Sequence, residues 1–331
     1  MIISRTPFRI SLFGGGTDYP AWYRNHGGAV IGTTINKYCF ISIRELPPFF
    51  EYRHRIVYSK VETVKLAQEI QHPVVRALLG ERPEMPGVEI HHDGDLPARS
   101  GLGSSSSFTV GMLTALNALS GRMVAPRELA LEAMRIEQDV LKENVGSQDQ
   151  VWAAYGGTNH IHFRTDGTFT VTPVILSAPR MAELNSGLML FFSGLSRIAS
   201  EIAGKVLENM NQRRLHLSLM QQMSEDALTI LQDEKRPLEE LGGLLHESWR
   251  LKRELADGVS TPYIDDLYEA ALSAGAKGGK LLGAGGGGFF LLWVPKEYQQ
   301  AVRERLNHLV EVQITIGSPG SRIVLYEPNG F

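Results

Sequence analysis

Alternation of apolar and polar side chains is clearest near the start of the chain, where residues 8 to 13 read Phe-Arg-Ile-Ser-Leu-Phe. A period of two with one apolar face predicts a half-buried strand, here running into the Gly14-Gly-Gly16 turn. Ala29 to Ile43 is rich in β-branched and aromatic residues and predicts a second strand; Arg55 to Val61 predicts a third. Val88 to His92 predicts another, closed by the turn signal Asp93-Gly-Asp95. The period then changes. Phe108, Met112, Ala115, Leu116 and Leu119 fall on one stripe at helical spacing and predict a buried helix over Ser104 to Leu119. A second helix is predicted from Pro126, a good first-turn residue, to about Asn144. Strands return at Thr158 to Phe163 and Thr168 to Val174, joined across Asp166-Gly167.

Further along, Leu188 to Phe192 predicts a short strand, and Ala199 to about Asp257 reads as mostly helical with breaks near Pro237 and Gly242. A helix over Pro262 to Ala274, a glycine cluster at Gly283 to Gly288 and a strand over Phe289 to Val294 follow. A helix over Glu297 to Leu309 and strands near Val312 and Ile323 close the chain. Strands and helices without regular βαβ alternation predict an α+β protein in two halves, 1–180 and 181–331, divided after Pro179.

Composition narrows the class. With 331 residues, 43% apolar and 21% charged, the chain can bury a sizeable core and is expected to be soluble. A net charge of −3 gives no general attraction for nucleic acid or membrane. No uninterrupted apolar run approaches the roughly 18 residues of a membrane span, and Met1 to Pro7 lacks the pattern of a signal peptide, so a cytoplasmic enzyme is expected. The single cysteine, Cys39, excludes an internal disulfide and sits in the apolar run Tyr38-Cys-Phe-Ile41, which predicts a buried, inert thiol. His160 and His162 share a strand face but have no cysteine or acidic cluster at ligand spacing, so they read as ordinary strand residues. Met210, Met220 and Met223 read as helix packing.

Three glycine-rich segments carry the candidate chemistry. The strongest is Leu96-Pro-Ala-Arg-Ser-Gly-Leu-Gly-Ser-Ser-Ser-Ser107, leading straight into the predicted helix at Ser104. Glycines let a backbone approach an anion, and the first helical turn presents unpaired N–H groups. One serine suffices to cap a helix, so four in succession point to phosphate oxygens and Mg²⁺. No lysine follows the second glycine, so this is not a Walker loop. Lys280-Leu-Leu-Gly-Ala-Gly-Gly-Gly-Gly288 contains a formal G-x-G-x-x-G, but a strand follows it where a dinucleotide fingerprint needs a helix. Four consecutive glycines before a buried strand instead mark backbone pressed against a ligand. The third segment, Pro7 to Tyr19, delivers Arg9 from a strand and Thr17 and Asp18 from a glycine turn, a way to hold substrate hydroxyls.

Two acids stand out further on. Glu137 falls on or beside the apolar stripe of its helix with Ala130, Met134 and Leu141, where an unpaired carboxylate is costly; Mg²⁺ or a basic side chain would resolve that cost. Asp149 lies in the polar turn Gly146-Ser-Gln-Asp-Gln150 ahead of Val151 to Tyr155.

Taken in order, the three glycine-rich segments resemble the three motifs of the GHMP kinase superfamily, which includes galactokinases, homoserine kinases and mevalonate kinases. The likeness spans Arg5 to Gly288. It implies a ribosomal-protein-S5-like N-terminal domain that binds ATP and a ferredoxin-like C-terminal domain. It also implies site residues. Asp149 would be the catalytic aspartate and Arg9 would stabilise charge on the transferring phosphoryl. Gly101, Leu102, Gly103, Ser104, Ser105 and Ser106 would hold the nucleotide phosphates, and Ser105 and Glu137 the Mg²⁺. Gly15, Gly16, Thr17 and Asp18 would bind sugar hydroxyls, with Gly283, Gly285 and Gly286 shaping the substrate side. The family likeness puts Arg55 to Val64 near the adenine. Motif one reads Phe-Gly-Gly-Gly-Thr-Asp where galactokinases carry Gly-Glu-His-Thr-Asp, so sugar recognition should differ from that of galactose.

The Thr6 to Tyr19 segment, with Gly27 to Ile31, Thr34 to Lys37 and Ser193 to Arg197, resembles the branch that phosphorylates the anomeric hydroxyl of D-glycero-D-manno-heptose 7-phosphate on the route to GDP-heptose. A sugar phosphate needs cations at its far end, for which Arg197 and Lys37 are the candidates. The alternatives are a kinase of another sugar, such as L-fucose or galactose, and a non-catalytic ATP- and sugar-binding regulator. A monomer or homodimer acting on a small molecule is implied in each case.

Overall fold

A computed structural model describes residues 1–194 and 199–328. The chain opens with β1 (Ile2–Phe13), α1 (Pro20–His26) and β2 (Gly28–Glu45), then β3 (His54–Val57), β4 (Val61–Val64), α2 (Pro73–Gly80) and β5 (Val88–Gly94). Next come α3 (Ser104–Leu119), α4 (Pro126–Met134), α5 (Gln148–Tyr155), β6 (Thr158–Phe163), β7 (Phe169–Pro173) and α6 (Ala178–Gly187). β8 (Leu188–Phe192), α7 (Ala199–Asn209), α8 (Arg214–Gln232), α9 (Glu240–Arg253) and α10 (Pro262–Ser273) follow. The chain ends with β9 (Gly278–Leu281), β10 (Phe289–Trp293), α11 (Gln299–Arg305), β11 (Val310–Val312) and β12 (Arg322–Tyr326). The protein is therefore α+β. None of the helices among the described residues is long and apolar enough to cross a membrane.

Two sheets organise these elements. The first has eight strands, in the order β12-β1-β2-β5-β3-β4, with β6 and β7 branching from β2. The 18-residue β2 makes this possible: its first half pairs with β6 and its second half with β5. Helix α3 packs on β1 and β2, and is buried nearly all round rather than along one stripe. The second sheet has four antiparallel strands in the order β11-β8-β10-β9. Read as β8, the α7–α10 helices, β9, β10, α11 and β11, it is the βαββαβ arrangement of a ferredoxin-like unit.

Several local readings change. Arg55 to Val61 is not one strand but most of the β3–β4 hairpin. Gly242 lies inside α9 rather than at a break. A Cβ there would come within 2.5 Å of Lys277 Cβ and 2.9 Å of Trp293, so glycine is present to let sheet and helix touch. The break near Pro237 separates α8 from α9, and a further one falls at residues 210–213, between α7 and α8. The division after Pro179 falls within α6, and β12 returns to the first sheet to pair with Ile2 to Arg5. The second half of the chain is thus not separate from the first. Cys39 is fully buried on β2, and burial pushes its thiol well up from the usual range.

Candidate active site

The second half of β1 carries Arg9, which is almost wholly buried at the centre of the constellation. Its Nε and Nη2 donate to the two carboxylate oxygens of Asp149, each at 2.7 Å, and its Nη1 donates to the Gly101 carbonyl at 2.7 Å. This is the fork-to-fork geometry in which an arginine fixes a carboxylate in position. Asp149 sits in the first turn of α5 rather than in a turn ahead of it. The glycine-serine loop closes over the pair. A Cβ on Gly103 would lie 3.2 Å from Arg9 and 3.3 Å from Asp149 Oδ2, so the loop backbone rests directly on the acid. Gly103 is left-handed, with φ of 73°, and α3 begins at the next residue.

Asp18 is the second acid of the site. Its Oδ1 accepts from Gly16 N at 2.9 Å, and its backbone carbonyl accepts from Ser147 N at 2.9 Å. Gly146 makes room for it: a Cβ there would fall 1.9 Å from Asp18 Oδ2. Burial, then the neighbouring Asp149 charge, push the Asp18 carboxyl up from its usual range. Next to it, Gly15 lies beside Ser11 and Gln148, whose Oγ and Oε1 are buried with no partner among the described residues. Orphaned polar atoms of this kind suit a ligand that brings hydroxyls. Thr17, by contrast, is committed to the fold, its hydroxyl donating to the Gly14 and Ala29 carbonyls.

Glu137 is placed by an irregularity that the apolar pattern does not announce. Its helix does not continue to Asn144; after α4 it widens into a π-helical turn over Arg135–Val140. The carboxylate is wholly buried, and no basic side chain among the described residues meets it. It accepts from Thr109 Oγ1 at 2.6 Å, from Ser106 Oγ at 2.8 Å and from Gln150 Nε2. The serine against Glu137 is therefore Ser106; Ser105, the expected partner, is exposed on the outer side of the turn. The carboxylate and the two hydroxyls are hard oxygen groups that fit Mg²⁺, with the Gln150 amide completing the ring.

Burial pushes the Glu137 carboxyl up to about 7, against the lowering effect of its three donors. A folded-state value above the unfolded one contributes stability below about pH 4.5, and that contribution is lost as pH rises through about 7. Melting curves in chelator should therefore fall from about pH 4.5 to about 7 more steeply for the parent than for Glu137→Gln. Parallel curves would show that Glu137 does not titrate in this window.

The third glycine segment holds the two halves of the chain together. A Cβ on Gly283 would come within 2.5 Å of Gly101 Cα, and one on Gly288 within 2.4 Å of the Ser100 carbonyl. Gly285 packs as closely on Val259, and Gly286 N donates to the Val259 carbonyl at 3.0 Å. These glycines are thus explained first by backbone-to-backbone packing against the phosphate-type loop and the α9–α10 connection. Of the two expected cations, Lys37 lies half-buried on β2, where its register against β1 shifts between Pro7 and Arg9. Arg197 falls outside the described residues.

Two lysines that local sequence reading overlooked converge here. Lys280 Nζ, buried, donates to the Leu12 carbonyl at 2.9 Å. Lys252 Nζ donates to the Leu281 and Gly283 carbonyls at 2.7 and 2.6 Å. Burial and then Arg9 push Lys280 down to about 7, while burial, Lys280 and Arg9 push Lys252 down as well. Lys280 beside Arg9 and Asp18, and Lys252 beside Lys280 and Arg9, make a crowded basic environment that an anionic ligand would relieve. The available signal was a lysine set directly in the apolar run Lys280-Leu-Leu282.

Comparison with known proteins agrees with this architecture. The GHMP kinases N-terminal domain model matches residues 64–157 and the GHMP kinases C-terminal model residues 227–311, together more than half of the chain. D-glycero-alpha-D-manno-heptose 7-phosphate kinase of Campylobacter jejuni is 27% identical, over 95% of this chain and 96% of that protein. A galactokinase of Pyrococcus furiosus is 25% identical, over 92% of each. Among solved structures, a D-glycero-D-manno-heptose 1-phosphate kinase of Bacteroides thetaiotaomicron superposes with a TM-score of 0.80 at 23% identity, covering 99% of this chain and 100% of that one. The chain belongs to the GHMP kinase family and is a kinase, a phosphotransferase.

Proposed function

We propose that the protein transfers the γ-phosphoryl group of ATP to the anomeric hydroxyl of D-glycero-D-manno-heptose 7-phosphate, giving the 1,7-bisphosphate for surface-polysaccharide synthesis in the cytoplasm. The observation that carries the reading is the bidentate Arg9–Asp149 pair lying against Gly103 of the helix-capping loop. In this reading Asp149 orients the acceptor hydroxyl and takes its proton, and Arg9 holds the Asp149 carboxylate in place while facing the incoming phosphoryl. The backbone N–H groups of Gly101 to Ser106 and the start of α3 hold the phosphates. Glu137 and Ser106, with Ser105 at the rim, would hold Mg²⁺, which neutralises charge on the phosphates when bound. Asp18, Gly15, Gly16 and the unpartnered Ser11 and Gln148 groups would meet the sugar hydroxyls; Thr17 shapes the turn.

Lys280 and Lys252, crowded beside Arg9, would meet the transferring phosphoryl, and Lys37 stays the described candidate for the substrate's own phosphate. Lys280→Met should lower kcat by roughly tenfold or more with a sugar phosphate and a neutral sugar alike. A loss confined to the sugar phosphate would place Lys280 at the substrate's own phosphate instead.

A second reading, a kinase of a neutral sugar, draws on the 26% identity to the bifunctional fucokinase/GDP-fucose pyrophosphorylase of Arabidopsis thaliana. ADP release measured across heptose 7-phosphate, L-fucose, galactose and unphosphorylated heptose separates the two. Heptose 7-phosphate should give the highest kcat/KM; a neutral sugar outperforming it would overturn the proposal.

A further inference from the structure

The π-helical turn that presents Glu137 sends its next side chain elsewhere. Glu137 faces α3 and α5, while the amide of Gln138 reaches the loop that leads into α5. Gln138 Nε2 donates to the Val145 and Gly146 carbonyls, each at 3.3 Å, and to Ser147 Oγ at 3.0 Å. Carbonyls only accept, so the amide nitrogen and not its oxygen must face them. A reversal of the chain makes this meeting possible. Lys142 takes the left-handed conformation, with φ of 57°, and Glu143 N donates back to the Glu137 carbonyl at 2.9 Å. The residues that follow then pass beside the turn they have just left.

That loop in turn sets Asp18. Ser147 N donates to the Asp18 carbonyl at 2.9 Å, and Gln148 N to Asp18 Oδ2 at 3.4 Å. Gly146, whose carbonyl the Gln138 amide holds, is the residue whose backbone lies against the same carboxylate oxygen. Ser147 is fully buried, and its hydroxyl meets both Gln138 and, at 3.3 Å, the Tyr23 hydroxyl. Asp18 therefore has Gly16 N of its own turn on one side and, on the other, a loop anchored by Gln138 and Tyr23. Glu137 and Asp149 do not share this anchor. The first keeps its three donors from α3 and α5, and the second its fork from Arg9. We propose that Gln138 is a positioning residue for the acceptor sugar, acting through residues 145–147 to set the Asp18 carboxylate. This rests on the reading of Asp18 as a sugar-binding acid. One π-helical turn then serves both substrates, through Glu137 for the metal-bound nucleotide and through Gln138 for the sugar.

The test compares steady-state kinetics and melting of the full-length parent, Gln138→Met and Gln138→Glu at a pH of about 8, where glutamate is ionised. The substrates are ATP with Mg²⁺ and whichever of the sugars compared above has the highest kcat/KM. Methionine keeps the length of glutamine without its donor. It should raise KM for the sugar roughly fivefold, while kcat and KM for ATP change by less than about twofold. Glutamate has the same shape but only accepts, so it should raise KM for the sugar further than methionine does. Ser147→Ala removes an acceptor from the other end of the contact. It should give the same split, adding little to Gln138→Met, and it carries the test if a Gln138 variant does not fold. A Gln138 that merely supports the fold would shift all three constants together with the melting temperature, which would overturn the proposal. Asp18→Asn is assayed alongside. If it raises KM for the sugar and the Gln138 and Ser147 variants do not, Gln138 is no positioning residue. If Asp18→Asn itself leaves KM for the sugar unchanged, the sugar is bound elsewhere, and the reading of Asp18 falls together with the proposal.

Discussion

Replacing Asp149 with asparagine is expected to lower kcat by about 10²–10⁴, the usual contribution of a positioned general base. Asparagine keeps the size of the side chain and one acceptor for Arg9, but its amide cannot take a proton or carry the charge that balances the guanidinium. Arg9 is then left nearly buried, with the Gly101 carbonyl and a single amide oxygen as its partners. Some stability is lost as a result, less than when a wholly buried pair is broken, because the Asp149 side chain is 25% exposed. KM for ATP should change little, since the loop backbone that would hold the phosphates is untouched. Steady-state ADP release with parallel melting curves checks this. Turnover at the parent rate would remove Asp149 from the chemistry, and a protein that fails to fold would mark it as structural.

The second large effect is expected at Gly101, through the backbone. Gly101 has φ of +86°, and a Cβ there would come within 2.5 Å of the Leu282 carbonyl oxygen and 2.8 Å of its carbon. No side-chain rotation relieves a clash with backbone. Gly101→Ala must either push the two glycine loops apart or abandon the left-handed conformation. The left-handed conformation alone costs about 1–2 kcal/mol, so the total should exceed about 2 kcal/mol. KM for ATP should rise with it, because the same peptide turns its carbonyl to Arg9 and its neighbours to the phosphates. Gly121→Ala is the matched control: its φ is +69°, but nothing lies within 4 Å of the added carbon. Denaturant unfolding should separate the two by more than the shared conformational cost. Equal losses would mean that the Gly101–Leu282 contact is slack.

Where the fold was legible, it was legible for a physical reason. Ser104–Leu119, Thr158–Phe163 and Leu188–Phe192 follow their apolar patterns to the residue, since each is bounded by glycines or turns. Helices α1, α2 and α6 escaped because each has only two or three turns, too few for a period to show. Yet Pro20, Pro73 and Pro179 stand in their first turns, a start signal available in the sequence. Strand β9 escaped because Gly278 and Gly279 carry no pattern; a Cβ on Gly278 would strike the Gly242 carbonyl.

The site divides in the same way. Each glycine-rich segment announced an anion or a ligand on local grounds, but Arg9 and Asp149 are 140 residues apart and meet only through packing. Their pairing was legible through likeness to a family. The exchange of Ser105 for Ser106 turns on which side of one helical turn faces Glu137, and the π-helical widening that carries Glu137 is not written in its apolar spacing. Lys252 and Lys280 show the limit most clearly: the Lys280-Leu-Leu282 run marks one of them, but their role follows only once both lie beside Arg9.

The most direct measurement is phosphorus NMR of the product formed from D-glycero-D-manno-heptose 7-phosphate, ATP and Mg²⁺. The account predicts one ADP per sugar and a second sugar-phosphate resonance coupled to the anomeric proton, with the original phosphate retained. A product phosphorylated at another hydroxyl, or no sugar product where a neutral hexose is turned over, would contradict it.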